Sequence, residues 1–263
     1  MSGYHRGLRA GGGKLFETLR LVVVDVDGCL TMGEAQPWNF EVFQFIAELN
    51  RQARQGSQGV PAVTLCTGRP EPFVEVLMQA IDAHQPGIYE HGGGLYFPQG
   101  YRFVENPAIT PEKRAALIRV KAVLRREIVE AGLGYLQPGK EVSLSLFPDD
   151  KVALHQLYRA TKEVLTTHQA PYLAEESASC VNVIPIGVDK GAGVRWLAQE
   201  TGIPLAQMGG IGDSAGDLKF LSIVGRSAAP ANATDEVKAA VGYVSPCMDG
   251  EGVVDILRRW SGR

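Results

Sequence analysis

The chain has 263 residues, 45% of them hydrophobic and 21% charged, with a net charge of -3. That length can bury a substantial core, in one large domain or two smaller ones. The charge balance offers no global basic field for nucleic acid or anionic lipid, and no apolar run reaches the roughly 20 residues of a membrane helix, so neither partner is expected.

Residues 1–14 are basic and glycine-rich without an apolar stretch, which predicts a flexible lead-in rather than a secretion signal. The first strong signal is Leu21, Val22, Val23 and Val24, a short apolar run of the kind buried on both faces of a parallel sheet. Asp25 and Asp27 follow, and alternation along an extended backbone points both the same way before Gly28 turns the chain. Two adjacent acids repel, and a hard cation held by oxygen ligands repays that cost; Mg2+ is the usual choice where phosphates are handled. Residues 37–53 then read as an amphipathic helix, 60–66 as a second apolar strand ending in Thr67, Gly68, Arg69 and Pro70, and Phe73 to Ile81 as another helix. Strand, helix, strand, helix is the opening of an open parallel sheet with ligand-facing loops at its strand carboxyl ends.

From residue 87 the texture changes. Glu90, His91 and three glycines signal a hairpin turn, and a helix is expected from a Thr110 cap and Pro111 to a stop at Gly132. Val142, Leu144 and Leu146 alternate with Ser143 and Ser145 as a half-buried strand, a helix capped by Asp149 or Asp150 follows, and 180–186 reads as one more strand. From Val188 the α/β texture returns: a helix begins at Lys190 and stops near Gly202, 208–211 is a strand, and Asp213 and Asp217 flank its following turn. Minor strands at 227–229 and 243–245 are separated by a helix capped at Thr234, and a final helix covers 253–260. The expected architecture is a Rossmann-like α/β core over 1–86 and 187–263, with an α+β module over 87–186 inserted in it. The four cysteines, Cys29, Cys66, Cys180 and Cys247, lie far apart and form no Cys-x-x-Cys pair, which suits a reducing cytoplasm better than zinc or a disulfide framework.

Asp25 with Asp27, Thr67, Lys190, and Asp213 with Asp217 all follow or adjoin apolar segments, so the fold should gather them in one crevice. Together they make a phosphate-and-metal inventory: a carboxylate nucleophile, a carboxylate proton shuttle, further acids for a cation, and Thr and Lys for phosphoryl oxygens. Each has a plainer reading as well, Thr67 as a helix cap, Lys190 as a solvated first-turn lysine and the acids as turn residues.

The segment Asp25-Val26-Asp27-Gly28-Cys29-Leu30-Thr31 resembles the first motif of the haloacid dehalogenase superfamily. Thr67-Gly68-Arg69 resembles its second, Lys190-Gly191 its third, and Gly212-Asp213-Ser214 with Asp217 its fourth, in the same order. The resemblance implies a phosphatase in which Asp25 is the nucleophile that becomes an aspartyl phosphate and Asp27 the general acid and base. It implies Mg2+ held by Asp25, the Asp27 carbonyl and Asp213, with Asp217 completing or steadying the shell. Thr67, Gly68, Arg69 and Lys190 would bind the phosphoryl group, and Asn232 is expected to reach the site. An insertion between Thr67 and Lys190 resembles a C2 cap of the C2B type, from which Lys140, Glu141, Ser143, Ser179 and Asn182 would read the rest of a small-molecule phosphate ester. Cys29 and Glu90-His91-Gly92 depart from the family's more frequent Thr and Glu-Asn-Gly, and His91 is read as a turn residue. Competing readings are a phosphomutase of the same superfamily, a receiver-like phosphoacceptor domain and a metal-dependent nuclease. The chain is expected to act as a monomer or homodimer.

Overall fold

The computed structural model describes residues 18–262, so the expected lead-in at 1–14 lies outside the described residues. The chain opens with β1 (Leu21–Val24), α1 (Phe40–Arg54), β2 (Ala62–Leu65) and α2 (Glu71–Ala80). A meander follows, β3 (Gly87–Tyr89), β4 (Gly94–Phe97) and β5 (Arg102–Glu105). Then come α3 (Pro111–Leu124), β6 (Gly134–Leu136), β7 (Leu144–Pro148), α4 (Leu154–Thr167), β8 (Tyr172–Glu176) and β9 (Val181–Pro185). The last third is α5 (Lys190–Thr201), β10 (Met208–Ile211), α6 (Leu218–Leu221), β11 (Arg226–Ala229), α7 (Asp235–Ala240), β12 (Tyr243–Val244) and α8 (Asp249–Ser261).

The main sheet runs β12-β11-β10-β1-β2, every pair parallel, with Val24 opposite both Leu65 and Ile211. The chain leaves β1 to one side for β2 and comes back on the other side at β10, so β1 lies at the topological switch point, where such sheets open a ligand crevice. All four β1 residues are fully buried, and their alternation divides them between two layers. Val22 and Val24 pack with Ile46, Leu77 and Ile256 from α1, α2 and α8. Leu21 and Val23 pack with Val194, Leu197 and Phe220 from α5 and α6. Burial on this scale contributes about 1.5–3 kcal/mol for each large aliphatic side chain.

Local chemistry sets the helix starts. α1 begins three residues after Pro37 because Asn39 caps it, its side chain accepting from the Glu41 N–H. Asp189 caps α5 through the Ala192 N–H, and Gly202, with φ 62°, closes that helix in the left-handed region. The cap expected for α4 at Asp149 or Asp150 is not formed: the Asp149 carbonyl closes a turn with the Val152 N–H, and the helix starts after Ala153 without a side-chain cap.

The inserted module has an antiparallel sheet, β6-β7-β9-β8, and a core of its own. Leu117, Val120 and Leu124 of α3 and Leu157 and Leu165 of α4 cover Leu144, Leu146, Val181 and Val183 of that sheet. Ser143 and Ser145, expected on an exposed face, are fully buried, because that side of β7 is also covered. Residues 87–105, grouped by sequence with the insertion, pack instead with the parallel sheet: Ile88 and Leu95 join the Leu21 layer, Tyr89 and Tyr96 the Val22 layer, and Ile88 bridges to Cys66 beyond β2. The physical reason is that β3 continues the parallel sheet's edge, so its apolar side chains have a core already waiting for them.

Candidate active site

β1, β2 and β10 deliver their carboxyl ends to a cavity of about 640 Å³. Asp25 follows β1 directly. Its Oδ1 accepts from the Val26 N–H at 2.7 Å and from the Lys190 ammonium at 2.9 Å, and both contacts fall on that one oxygen. Lys190, first residue of α5, also reaches Asp217 Oδ1 at 2.6 Å. A buried lysine at a helix amino end is doubly disfavoured unless anions hold it, and here two do. They raise its pKa well above the ordinary lysine value against the opposing pull of burial. The solvated-lysine reading is thereby excluded.

Asp217 is fully buried, and its second oxygen accepts from the N–H groups of Asp213 and Ser214 and from the Ser214 hydroxyl. With four donors on two oxygens it fixes the 212–214 turn and the Lys190 ammonium. Asp213 faces the cavity beside Gly28. Gly28 has φ 83°, and a Cβ there would stand 2.4 Å from Asp213 Oδ2, so only glycine allows the turn after β1 to approach this carboxylate. Carboxylate oxygens of Asp25, Asp213 and Asp217 lie within 4.8 Å of one another. Burial, then the Asp217 carboxylate, push Asp213 up to about 7. Burial and the same neighbour push Asp25 well above the ordinary carboxyl range, although Lys190 acts against them.

Asp27 lies apart from that cluster. Its two oxygens accept from Arg69 Nε at 2.8 Å and Nη2 at 2.7 Å, a bidentate pair that orients the carboxylate. Arg69 is further held by Glu34 at 3.7 Å and by stacking 4.8 Å over Phe73. Thr67 does not cap α2, whose cap position is Pro70; its hydroxyl accepts from the Arg69 N–H and keeps its own proton to donate. Gly68 lies under the His91 imidazole, where a Cβ would come within 2.3 Å of the ring. Asn182 lines the cavity from β9. Asn232 lines it too, but its amide donates to the Gly28 carbonyl and accepts from the Asp249 N–H, which makes it a brace between the β1 turn and α8.

Two features escaped the sequence reading. The Arg69–Asp27 pair joins residues 42 apart, and the Glu90 carboxylate, fully buried, accepts from the N–H groups of Glu141, Val142 and Ser143 and from the Ser143 hydroxyl. Glu90 and His91 both occupy the left-handed region, at φ 46° and 59°, a conformation that non-glycine residues seldom hold without a reason. Cys29 and Cys66 are both buried near the site, and burial pushes their thiols up, so neither offers a reactive thiolate.

Comparison with known proteins agrees with this picture. The model of the haloacid dehalogenase-like hydrolase family matches residues 136–257. A phosphoglycolate phosphatase of Pyrobaculum aerophilum is 41% identical over 89% of this chain and 92% of its own. Another, from Methanothermobacter thermautotrophicus, is 24% identical over 93% of this chain and all of its own. A crystal structure from Thermoplasma acidophilum superposes with a TM-score of 0.71 over 93% of this chain and 99% of that one at 20% identity, which shows a shared fold. Among the described residues no helix is long and apolar enough to cross a membrane. Identity of 41% across nearly the whole of one relative, together with the family match, establishes that the chain belongs to the haloacid dehalogenase-like hydrolase family.

Proposed function

We propose that this protein is a Mg2+-dependent phosphomonoester hydrolase that acts on a small phosphorylated metabolite through an aspartyl phosphate on Asp25. The observation that carries the reading is the array at the end of β1, where Asp25, Lys190 and Asp213 line one cavity and Asp217 is buried directly behind them. Three carboxylates against one ammonium leave negative charge in surplus, and the donors are all hard oxygens, which fits Mg2+. Asp25 and Asp213 would hold it with the Asp27 carbonyl, while Asp217, already saturated by four donors, steadies the shell. When bound, the cation offsets charge on the phosphoryl oxygens.

Asp25 Oδ2, which carries neither the Val26 nor the Lys190 contact, is the attacking oxygen. The bond from phosphorus to the ester oxygen breaks as the new bond to Asp25 forms, and Asp27 gives a proton to the departing alkoxide. Asp27 then takes a proton from the water that cleaves the acyl phosphate, which restores Asp25 and releases inorganic phosphate. Lys190 and the Thr67 hydroxyl neutralise and orient the phosphoryl oxygens. Arg69, rather than binding substrate, sets the plane of the Asp27 carboxylate. The module over 107–186 is the cap that reads the remainder of the substrate, and 87–106 belongs with the catalytic core. The buried, unreactive thiols suit a cytoplasmic setting.

Phosphate release from a panel of sugar phosphates and phospho-acids, with Mg2+ and with EDTA, tests this reading. Metal-dependent turnover of at least one metabolite well above an aryl phosphate is expected; hydrolysis of the aryl ester alone would refute the metabolite assignment.

A further inference from the structure

A sheet edge left open by the fold lies between two surfaces of opposite charge. β5 pairs on one side with β4, Phe103 opposite Tyr96 and Val104 opposite Leu95, and on the other side with no strand among the described residues. The Asn106 N–H donates to the Gly93 carbonyl and so continues that ladder. By alternation the backbone groups of Arg102 and Val104 then turn toward β4, and those of Phe103 and Glu105 turn outward. Open edges are commonly guarded by a charge standing over them. Here Arg102 is folded back over the Phe97 ring at 4.5 Å, and Glu105 is engaged by Arg114, so neither guards the edge.

The two ends of β5 meet different surfaces. At its start, Tyr101 is 62% exposed and stands beside Glu75 of α2, whose carboxylate pushes the phenol up. Val76, the next residue of α2, is 51% exposed, and Glu71 lies one turn earlier. At its end, Glu105 holds Arg114 of α3, and Ile118, Lys121 and Arg125 follow Arg114 along the same stripe of that helix. Ile118 is 72% exposed, and Lys121 and Arg125 form no ion pair among the described residues. β5 therefore runs from an acidic apolar surface to a basic apolar one.

An antiparallel strand laid on this edge reverses the order, and so brings the acidic start of one β5 to the basic end of another. Residues opposite each other in such a pair share a face, and a two-fold axis at Phe103 meets that condition while using the outward backbone groups of both strands. We propose that the protein forms a homodimer in which β5 pairs antiparallel with β5 of a second copy about Phe103, and α2 of each copy meets α3 of the other. Glu71 and Glu75 then approach the lysine and arginine of the facing α3, and Val76, Tyr101 and Ile118 are covered. Packing α3 on a second α3 would instead set Arg114, Lys121 and Arg125 against like charges. Because α2 belongs to the core and α3 to the inserted module, each copy's module is tied to its partner's core.

Sedimentation velocity and amide hydrogen exchange test this. At about 50 µM chain and low salt the wild type should sediment as a dimer that added salt weakens, with the Phe103 and Glu105 amides at least about tenfold better protected than after dilution to monomer. Glu75→Lys alone, or Lys121→Glu with Arg125→Glu, should raise the dissociation constant by about 30-fold, and the three substitutions together should recover most of that loss. Unfolding midpoints establish that each variant is folded, and exchange in the wild type needs no variant. A wild type that stays monomeric at that concentration overturns the proposal. So does a dimer that leaves the Phe103 and Glu105 amides unprotected, or one that both charge variants leave intact, since either places the contact elsewhere. Failure of the combined variant to recover, with each parent weakened, would contradict the pairing of α2 with α3.

Discussion

His91 shows how much one side chain can be asked to do. Burial first, and the Lys140 and Lys190 ammonium groups after it, hold the imidazole well below its ordinary value of 6.5. The folded protein therefore keeps His91 neutral where the unfolded chain would protonate it, so stability is intact above about pH 6.5 and is lost as the pH falls through that value. His91→Asn should flatten this dependence: the difference in unfolding free energy between pH 7.5 and pH 5.5, measured by urea titration, should shrink by about 1 kcal/mol relative to wild type. An unchanged difference would show that the imidazole is not shielded from protons. Individual roles were unevenly legible at this scale. Asp25, Asp27, Lys190, Asp213 and Asp217 announced themselves because each abuts an apolar strand or begins a helix, where a charge needs a reason. A division of labour among the acids came only from the family resemblance; the donors that hold them were hidden, because they are brought from elsewhere: Arg69 to Asp27, and four separate groups to Asp217.

Among the elements, the link between core and cap is the turn after β3. Glu90 is in the left-handed region and fully buried, yet its carboxylate is hydrogen-bonded to residues 141–143 at the entrance to β7. Glu90→Gln keeps the shape but replaces one acceptor oxygen with a donor that faces other donors. Unfolding in urea should show a loss of about 1–3 kcal/mol, and retention of wild-type stability would mean that the staple contributes nothing net. This link was not readable in advance, since it joins residues more than 50 apart and rests on backbone N–H groups that any sequence supplies. What could be read were the runs whose period or punctuation is strong: β1 as four buried aliphatics, α3 from Thr110 and Pro111, α5 between Asp189 and Gly202. The α4 start was misplaced because Asp149 serves a turn, and 87–105 was assigned by its hairpin texture when its packing partners lie in the parallel sheet.

For the molecule as a whole, two cores meet over one cavity. The parallel sheet places Asp25, Thr67, Lys190 and Asp213 at its switch point, and the α+β module supplies Lys140, Ser145 and Asn182 from the other side. Closing such a crevice excludes water and strengthens every charge interaction within it, which is how one core chemistry is directed to one class of substrate. In the proposed reaction every step depends on Asp25 as the nucleophile that attacks phosphorus. Its most direct test is steady-state phosphate release by Asp25→Asn beside wild type, in Mg2+ and on the best metabolite of the panel. Loss of activity by about 1,000-fold or more with an unchanged unfolding midpoint is the predicted result. Substantial metal-dependent turnover by the folded variant would contradict it.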